Sequence, residues 1–502
     1  MALSRLKKAY YTSVTSALVQ LVTILCGMIT SRLIIQTYGS SWNGIIVSIS
    51  RMLQLITIAE IGLDGAARVA LYRSLASNDQ QKTNAIINAN QAFYQKICLF
   101  FIVYIAILTV FLPGFIQAEQ SNRSIALMIL IVGFSSLAEH CWGINSKIIL
   151  LATQSRYITN LVQIAAVLLN AGLIVLVVTL QGNIFTAKAA SGAVLTLKPL
   201  LLFLIVKRLF KLDKTVKPDH SALKDRWNVM ANSLSNIVHH NVDLVFLTLF
   251  CAATEISVYS LYMVIAGGLS KLFTILTSGM EAGFGSLWAR NEHQKLEYYL
   301  RQFEYIIYSF SVILFGCMIV LILPFMSLYV SRVTDANYLR FNLGLTLAIA
   351  EIFLSIRAPY VLLVQAAGHY KQVKIGAYCE AGLNIILTLV LAKLYGIVGA
   401  VAATAVANIF RTIQYSWYAS KHLIQRPFMQ VIRRLVWLCV MLCICVCTSY
   451  GAISSIVIDS WIGWCTAATI CLLVHISVIF LGTLLFYRSD FQIFLRTIKK
   501  LL

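Results

Sequence analysis

Long apolar runs recur along the whole chain, and each is about as long as a membrane-spanning helix. A helix needs about 20 mostly apolar residues to cross a bilayer, and the connections between these runs are short. The pattern therefore predicts about fourteen transmembrane helices and no separate soluble domain. The predicted spans are residues 11–36, 43–66, 93–116, 124–149, 156–180, 186–206, 229–251, 256–279, 304–330, 342–367, 372–394, 396–420, 433–452 and 462–487.

Polar residues interrupt two of these runs at steps of three and four, a spacing that places them on one face of a helix. A shift of 217 residues superposes the two polar stripes. The stripe of the second span comprises Ser50, Gln54, Thr57, Asp64 and Arg68. The stripe of the eighth span comprises Lys271, Thr274, Ser278 and Glu281. Two matching helices half a protein apart indicate a duplicated membrane unit.

A second correspondence has nearly the same period. A shift of 214 residues places Asn170 on Asn384 and Gly182 on Gly396. Since six spans return the chain to the same side of the membrane, we predict a parallel repeat of two six-helix lobes with a polar interior. The predicted division is a first lobe at 1–208, a cytoplasmic hinge loop at 209–226, a second lobe at 227–425, and an appended helix pair with a basic tail at 426–502.

Composition and charge agree with an all-α polytopic membrane protein. The chain is 59% hydrophobic and only 12% charged, against about 25% charged in soluble proteins. Most of its 40 Lys and Arg fall in alternate connections, which predicts that both termini are cytoplasmic. The net charge of +21 is thus mainly a matter of membrane topology, and we expect no nucleic-acid partner.

Some basic residues lie inside the spans and need another explanation. Arg51 lies at mid-depth of its span with no acidic residue one turn away, and a charge there costs about 2.5–3.5 kcal/mol. We therefore expect it to face a wet cavity or another helix. Asp64 and Arg68 form either a local ion pair or part of a cavity. The basic residues within or at the margins of spans are Arg32, Arg51, Arg68, Lys96, Lys198, Lys271, Arg357 and Arg411.

The predicted seventh span is the most polar one, and its polar residues share about one helical face. They are Asn232, Asn236, His239, His240 and Asp243. Two interpretations stay open, a proton relay and interhelical hydrogen bonds that stabilise packing. A zinc site is not expected there because no further ligands follow at a usable spacing.

Other polar residues suggest packing or pairing. Glu139 and Lys147 are expected to form a local ion pair or cap. The twelve cysteines are interpreted as small packing residues, and neither a metal nor a cofactor is expected. The chain has no Walker-type glycine-rich loop, so it is not expected to hydrolyse ATP.

Three passages, in this order and spacing, resemble the polysaccharide-transporter branch of the multidrug/oligosaccharidyl-lipid/polysaccharide (MOP) exporter superfamily. The first is AEIGLDGAAR at 59–68. The second is VDLVFLTLF at 242–250, continuing to VYSLY at 258–262. The third runs from AGHY at 367–370 through EAGLN at 380–384 to GIVGA at 396–400. The six-plus-six-plus-two arrangement of spans also resembles this family.

The resemblance implies a flippase that carries a polyprenyl-diphosphate-linked oligosaccharide across the bacterial cytoplasmic membrane. The cargo would be a repeat unit for O-antigen, capsule or exopolysaccharide. A V-shaped central cavity would hold the hydrated diphosphate head, while membrane lipids surround the polyprenyl tail. A gradient of protons or sodium ions, or consumption of the product by other polysaccharide-assembly proteins, would drive transport. The protein would not be an enzyme.

Related lipid II flippases place basic residues of the second and eighth spans in the cavity, and Arg51 and Lys271 lie at similar depth here. The candidate cavity residues are Arg32, Arg51, Gln54, Asn236, Lys271 and Arg357. The candidates for ion coupling or gating are Asp64, Arg68, His239, His240, Asp243, Glu281 and Glu380.

Two alternatives stay open. A cation-coupled multidrug antiporter would share the fold, but such exporters usually have twelve spans and bind cations beside carboxylates. Arg51, Lys271 and Arg357, interpreted as unpaired, favour an anionic cargo instead. A membrane polysaccharide polymerase or ligase would need a large external loop, whereas the predicted outer loops are about a dozen residues or shorter.

Overall fold

The structure is a computed structural model that describes residues 5–57, 79–210 and 243–486, with shorter pieces between 67 and 77 and between 212 and 221. Its regular elements within these ranges are helices, and residues 243–250 are also helical. The helices are α1 Arg5–Tyr38, α2 Ser40–Gln54, α3 Gln80–Phe111, α4 Asn122–Ala138, α5 Ile144–Ala152, α6 Arg156–Thr179, α7 Ile184–Leu209, α8 Ala253–Ala289, α9 His293–Tyr329, α10 Phe341–Ile356, α11 Ala358–Ala366, α12 Tyr370–Tyr418, α13 Met429–Ile453 and α14 Trp461–Phe486.

Eleven helical segments of the described chain are long and apolar enough to cross a membrane. One of them, Tyr370–Ile424, has 55 residues and is divided by Gly396, whose φ of 59° and ψ of −137° are not helical. Because glycine tolerates positive φ, the chain turns there between the eleventh and twelfth predicted spans. The predicted second and seventh spans fall partly outside the described residues. The all-helical, polytopic fold class is confirmed, and the count of fourteen stays a prediction.

Sequence signals explain several helix starts and the outward faces. Asp79, Ser121 and Asn183 are the N-caps of α3, α4 and α7, respectively. Each side chain accepts a hydrogen bond from a backbone N–H in the first turn of its helix, which satisfies one of the unpaired donors there. Leu99 and Val110 of α3 are exposed, as expected for side chains that face lipid tails.

The chain divides into two compact units, Met1–Ser260 and Leu261–Leu502. The ends predicted for the first lobe, the hinge loop and the second lobe, at residues 208, 226 and 425, stay predictions. In the first unit, the connection after α7 is fastened to α3. Asn88 donates to the carbonyls of Asp213 and Val216, at 3.0 and 2.9 Å. The Asp219 N–H donates to the Ala85 carbonyl at 3.1 Å. The described part of the predicted hinge loop therefore belongs to the first unit.

The same connection contains a titratable turn outside the membrane-spanning segments. The Thr215 hydroxyl donates to the Asp213 carboxylate at 2.6 Å, and the Thr215 backbone N–H donates to it at 2.8 Å. The hydroxyl contact, followed by the backbone contact, holds the pKa of Asp213 below its usual value. This carboxylate therefore stays ionised while it closes the turn.

The bounds of elements in the two halves repeat with a shift of 214 residues. The shift places all of α5, Ile144–Ala152, on α11, Ala358–Ala366. It also places the first residue of α6, Arg156, on the first residue of α12, Tyr370. The predicted duplication therefore extends from single residues to helix ends.

The turn between these helices is the same in both copies, although its central residue differs. In the first copy the Ser155 N–H donates to the Leu150 carbonyl at 2.7 Å, and Gln154 has a φ of 56°. In the second copy the His369 N–H donates to the Val364 carbonyl at 3.1 Å. The residue equivalent to Gln154 is Gly368, with a φ of 70°. Both are helix C-terminal caps that require a left-handed residue, which glycine adopts without steric cost.

In the second unit, α9 is the helix to which the appended pair α13 and α14 is attached. The Tyr305 hydroxyl lies 2.8 Å from the Thr483 hydroxyl. Farther along α9, the Phe325 ring packs against Trp461 and Trp464, with centroids 5.6 and 5.4 Å apart. Helix α14 of the appended pair is thus attached to α9 at two levels.

The duplicated cap gives a reciprocal test. We expect Gln154→Gly to increase the free energy of unfolding by about 1 kcal/mol, since a left-handed side-chain residue is replaced by glycine. Gly368→Gln should decrease it by a similar amount. Thermal unfolding of the detergent-solubilised protein would measure both changes. Shifts of the same sign in the two variants would contradict the equivalence of the caps.

Candidate functional site

Two of the predicted cavity residues meet in the first unit. Nη1 of Arg51 donates to Oε1 of Gln54 one turn later, at 3.3 Å. Arg51 is half-buried and Gln54 is exposed, whereas Ile45 and Ile49 on another side of α2 are completely buried. The polar stripe predicted for this helix is therefore observed where it is described, with its side chains away from the packed face.

The other candidates are dispersed or only partly described. Arg32 of α1 and Arg68 are half-buried, Asp243 is buried, and Lys271 of α8 is exposed. Lys271 forms no ion pair with the side chains that the structure describes. The candidates Asp64, Asn236, His239 and His240 lie outside the described residues, as does the side chain of Glu281.

The structure brings Arg357 and Glu380 together, although the sequence assigned them to different roles. Nη1 of Arg357 lies 2.6 Å from Oε1 of Glu380, and Nε of Arg411 lies 3.3 Å from its other oxygen. The side chains are only 11%, 8% and 5% exposed, in the order Arg357, Glu380, Arg411. Arg411 also donates to the Val373 carbonyl at 3.0 Å and stacks 4.2 Å from the Tyr415 ring.

This arrangement corrects the interpretation of Arg357 as an unpaired charge. A guanidinium inside an apolar span is stabilised by a carboxylate that has also been removed from water. Glu380 in turn is shared by two guanidinium groups and is not a bare carboxylate. The roles proposed for both residues in transport must therefore include this pairing.

A second group of the same kind lies where α9 meets α13. Glu304 is completely buried, and its two carboxylate oxygens accept hydrogen bonds from the two terminal nitrogens of Arg426. Nη1 of Arg434 lies 2.7 Å from Oε2 of Glu304 and donates to the Arg301 carbonyl at 3.1 Å. None of these three residues was among the candidates predicted from the sequence. A carboxylate at the start of an apolar run was the available signal, because such a charge needs a partner.

A third group lies in the first unit. Glu139 pairs with Lys147, as predicted, and also with Lys198 of α7, whose Nζ lies 2.9 Å from Oε2. Lys198 further donates to Oε1 of Gln163 at 3.1 Å. Its place inside a span is therefore explained by an interhelical ion pair.

One more buried carboxylate has a different partner. Glu351 of α10 accepts a hydrogen bond from the Ser270 hydroxyl of α8, and it forms no ion pair with the described side chains. A carboxyl group with a neutral partner in a low-dielectric surrounding is suited to carrying a proton. Glu351 was not among the sequence-based candidates.

These contacts distinguish the residues that form buried ion pairs within the protein from those that remain candidates for contact with the cargo. Glu139, Glu304 and Glu380 are each shared by two basic side chains, so each group keeps one positive charge in excess. Such groups can favour an anion at longer range. Arg51 and Lys271 belong to none of the three groups and offer donors on less buried faces.

The sequence matches no protein-family model, and a search of curated proteins finds no match. Solved structures share its fold. With the lipid II flippase MurJ in an inward closed conformation, the TM-score is 0.72 at 16% identity, over 95% of this chain and 99% of that chain. With an inward-facing multidrug resistance MATE family transporter of the MOP superfamily, it is 0.59 at 15% identity, over 81% and 98%.

A MOP superfamily transporter from Pyrococcus furiosus is also similar, with a TM-score of 0.57 at 14% identity over 84% of this chain and 96% of that chain. These similarities show that the chain has the fold of these transporters, and its eleven long apolar segments agree with a multi-pass membrane protein. At such low identity they show the fold alone.

The buried group around Glu380 can be tested by removing its charge. We expect Glu380→Gln to lower the free energy of unfolding by roughly 3–5 kcal/mol, because Arg357 and Arg411 lose their shared carboxylate while staying buried. The apparent melting temperature in detergent would measure this. Glu292→Gln is the matched control, since the pair of Glu292 with Lys295 is solvent-exposed and such pairs contribute little. Equal effects of the two substitutions would contradict a buried pairing role.

Proposed function

We propose that this protein is a flippase for a polyprenyl-diphosphate-linked oligosaccharide, acting by alternating access in a bacterial cytoplasmic membrane. Its product on the outer leaflet would be a repeat unit for surface polysaccharide, such as O-antigen, capsule or exopolysaccharide. The observation that carries the proposal is the fold shared with the lipid II flippase over 95% of this chain.

The extent of the fold similarity differs between the two kinds of solved structure, and this difference supports the flippase. The multidrug transporter is covered almost completely, at 98% of its chain, yet accounts for 81% of this chain. About a fifth of this chain thus has no counterpart there, whereas the lipid II flippase leaves only a few per cent unmatched. The appended pair α13 and α14 is of the right size to make this difference.

The charges agree with an anionic, strongly hydrated head group. A diphosphate would be prohibitively costly to move through hydrocarbon without compensating contacts. Arg and Lys are the residues that recognise phosphates, Arg with two parallel donors and Lys as a point charge. Arg51, held by Gln54, and Lys271, exposed on α8, keep this proposed role.

A cation-coupled multidrug antiporter is the second candidate, since its fold is shared. It would need a carboxylate available to cationic substrates. Glu380 and Glu304 are each occupied by two arginines, which favours the flippase. Glu351, whose partner is the Ser270 hydroxyl, is the buried carboxyl that such an antiporter could use. Asp243, buried at the start of the described part of its helix, keeps its proposed role in ion coupling.

Deletion of the gene tests the function. We expect the deletion strain to lose surface polysaccharide and to accumulate single lipid-linked repeat units on the inner leaflet. Accumulation on the outer leaflet would instead indicate a polymerase or ligase. Intact surface polysaccharide with altered export of cationic dyes would indicate the multidrug antiporter.

Complementation of that strain tests the two cargo contacts. We expect Arg51→Ala and Lys271→Ala to slow polysaccharide export by about tenfold or more, since a hydrogen bond to a charged group contributes about 1.5–3 kcal/mol. The charge-conserving variants Arg51→Lys and Lys271→Arg should restore part of the polysaccharide export. The control is Lys295→Ala, an exposed lysine at the start of α9. Normal export by both alanine variants, at matched protein levels, would refute the assignment.

A further inference from the structure

A buried cluster of sulfur and nitrogen atoms lies where α9, α13 and α14 meet, between the two attachment points of the appended pair. It consists of Cys317 of α9 and of Cys471 and His475 of α14, with Ser449 of α13 beside them. Cys471, His475 and Ser449 have no exposed surface. Cys471 and His475 lie one helical turn apart on α14, whereas Cys317 lies 154 and 158 residues before them, so only the fold brings the third residue to the cluster.

The three donor atoms form a nearly equilateral triangle. Sγ of Cys317 lies 3.6 Å from Sγ of Cys471. Nδ1 of His475 lies 3.5 Å from the Cys317 sulfur and 3.4 Å from the Cys471 sulfur. Zinc binds thiolate at about 2.3 Å and imidazole at about 2.0–2.1 Å with tetrahedral angles, which separates two sulfurs by about 3.8 Å and sulfur from nitrogen by about 3.6 Å. The observed triangle therefore matches one face of a zinc tetrahedron to within about 0.2 Å.

Of the two ring nitrogens of His475, Nδ1 faces the two sulfurs, and a metal bound there would replace the Nδ1–H hydrogen bond to the Cys471 carbonyl and leave the ring proton on Nε2. Nε2 is buried without a hydrogen-bond partner among the described residues. It faces Gly316, where an added Cβ would lie only 2.6 Å from it. Nδ1 points to the two sulfurs, and the Ser449 hydroxyl and the Cys471 carbonyl lie 3.2 and 2.7 Å from it. The Ser449 hydroxyl, at 3.2 Å, is the nearby candidate for the fourth position.

Charge balance selects the metal. Two thiolates and a neutral imidazole around a divalent cation form an electrically neutral group, whereas a monovalent copper ion would leave one negative charge. A neutral group avoids the cost of a net charge in a buried, low-dielectric place. Calcium and magnesium prefer oxygen ligands, and thiolate with imidazole suits zinc.

We propose that Cys317, Cys471 and His475 form a structural zinc site that fastens α14 to α9. Binding of the divalent ion replaces the protons of the two thiols, and two protons are released to solvent. The site lies about 20 Å along α9 from Glu304 and about 12 Å from Phe325, so it is a middle attachment point for the appended helix pair. The alternative is that the Nδ1–H of His475 donates to the Cys471 carbonyl and both thiols only pack.

The test is zinc content. The full chain, carrying an affinity tag without histidines, would be purified in detergent under reducing conditions and without chelators, and zinc would be measured by mass spectrometry. We expect about one zinc per polypeptide. Cys317→Ala and Cys471→Ala should lose it, with affinity reduced by more than about 100-fold. Cys443→Ala and Cys465→Ala, at exposed cysteines of α13 and α14, should keep it.

A second measurement needs only the unaltered protein, so it decides the matter even if a variant fails to fold. Cobalt(II) added to metal-free protein should give the visible bands of a tetrahedral site and an intense sulfur-to-cobalt charge-transfer band, both removed by zinc(II). The proposal would be overturned if the purified protein contained no zinc and the titration gave none of these bands. A disulfide between Cys317 and Cys471 in the reduced preparation would overturn it as well.

Discussion

The structure depends on the pairing of carboxylates that the fold has removed from water. Glu139, Glu304 and Glu380 lie in or beside apolar spans, and each is shared by two basic side chains, at least one of which comes from another helix. An isolated charge in such a place is costly, and breaking a buried pair costs several kcal/mol. These contacts therefore fix which helices lie together, in a lipid environment where apolar faces alone give little preference between neighbours.

The same requirement explains how the appended pair joins the second unit. α9 carries Glu304 near its start, which holds Arg426 and Arg434, and Phe325 near its end, which packs on two tryptophans. Without these polar and aromatic contacts, two apolar helices would have no specific place beside α9.

Much of the fold could be predicted from the sequence, because span length and helical periodicity are local properties. The duplication was visible at single residues such as Gly182 and Gly396, and the structure extends it to helix ends. The pairing was largely not predictable. The ion pair of Glu139 with Lys147, eight residues away, was predicted correctly. Lys198 and Arg411, in contrast, meet their partners only through helix packing. Arg357 was wrongly interpreted as unpaired for the same reason. Asn236, His239 and His240 of the seventh span lie outside the described residues, so their roles stay predictions.

The account rests on the claim that the protein moves a lipid-linked diphosphate oligosaccharide. The most direct measurement uses the purified chain reconstituted into liposomes that contain a fluorescent polyprenyl-diphosphate oligosaccharide in both leaflets. An impermeant quencher would report how much of the lipid reaches the outer leaflet. The account predicts that nearly all of the fluorescence becomes accessible in liposomes that contain the protein, and only about half in protein-free liposomes. Equal accessibility in both, together with uptake of a cationic dye by the same proteoliposomes, would contradict it.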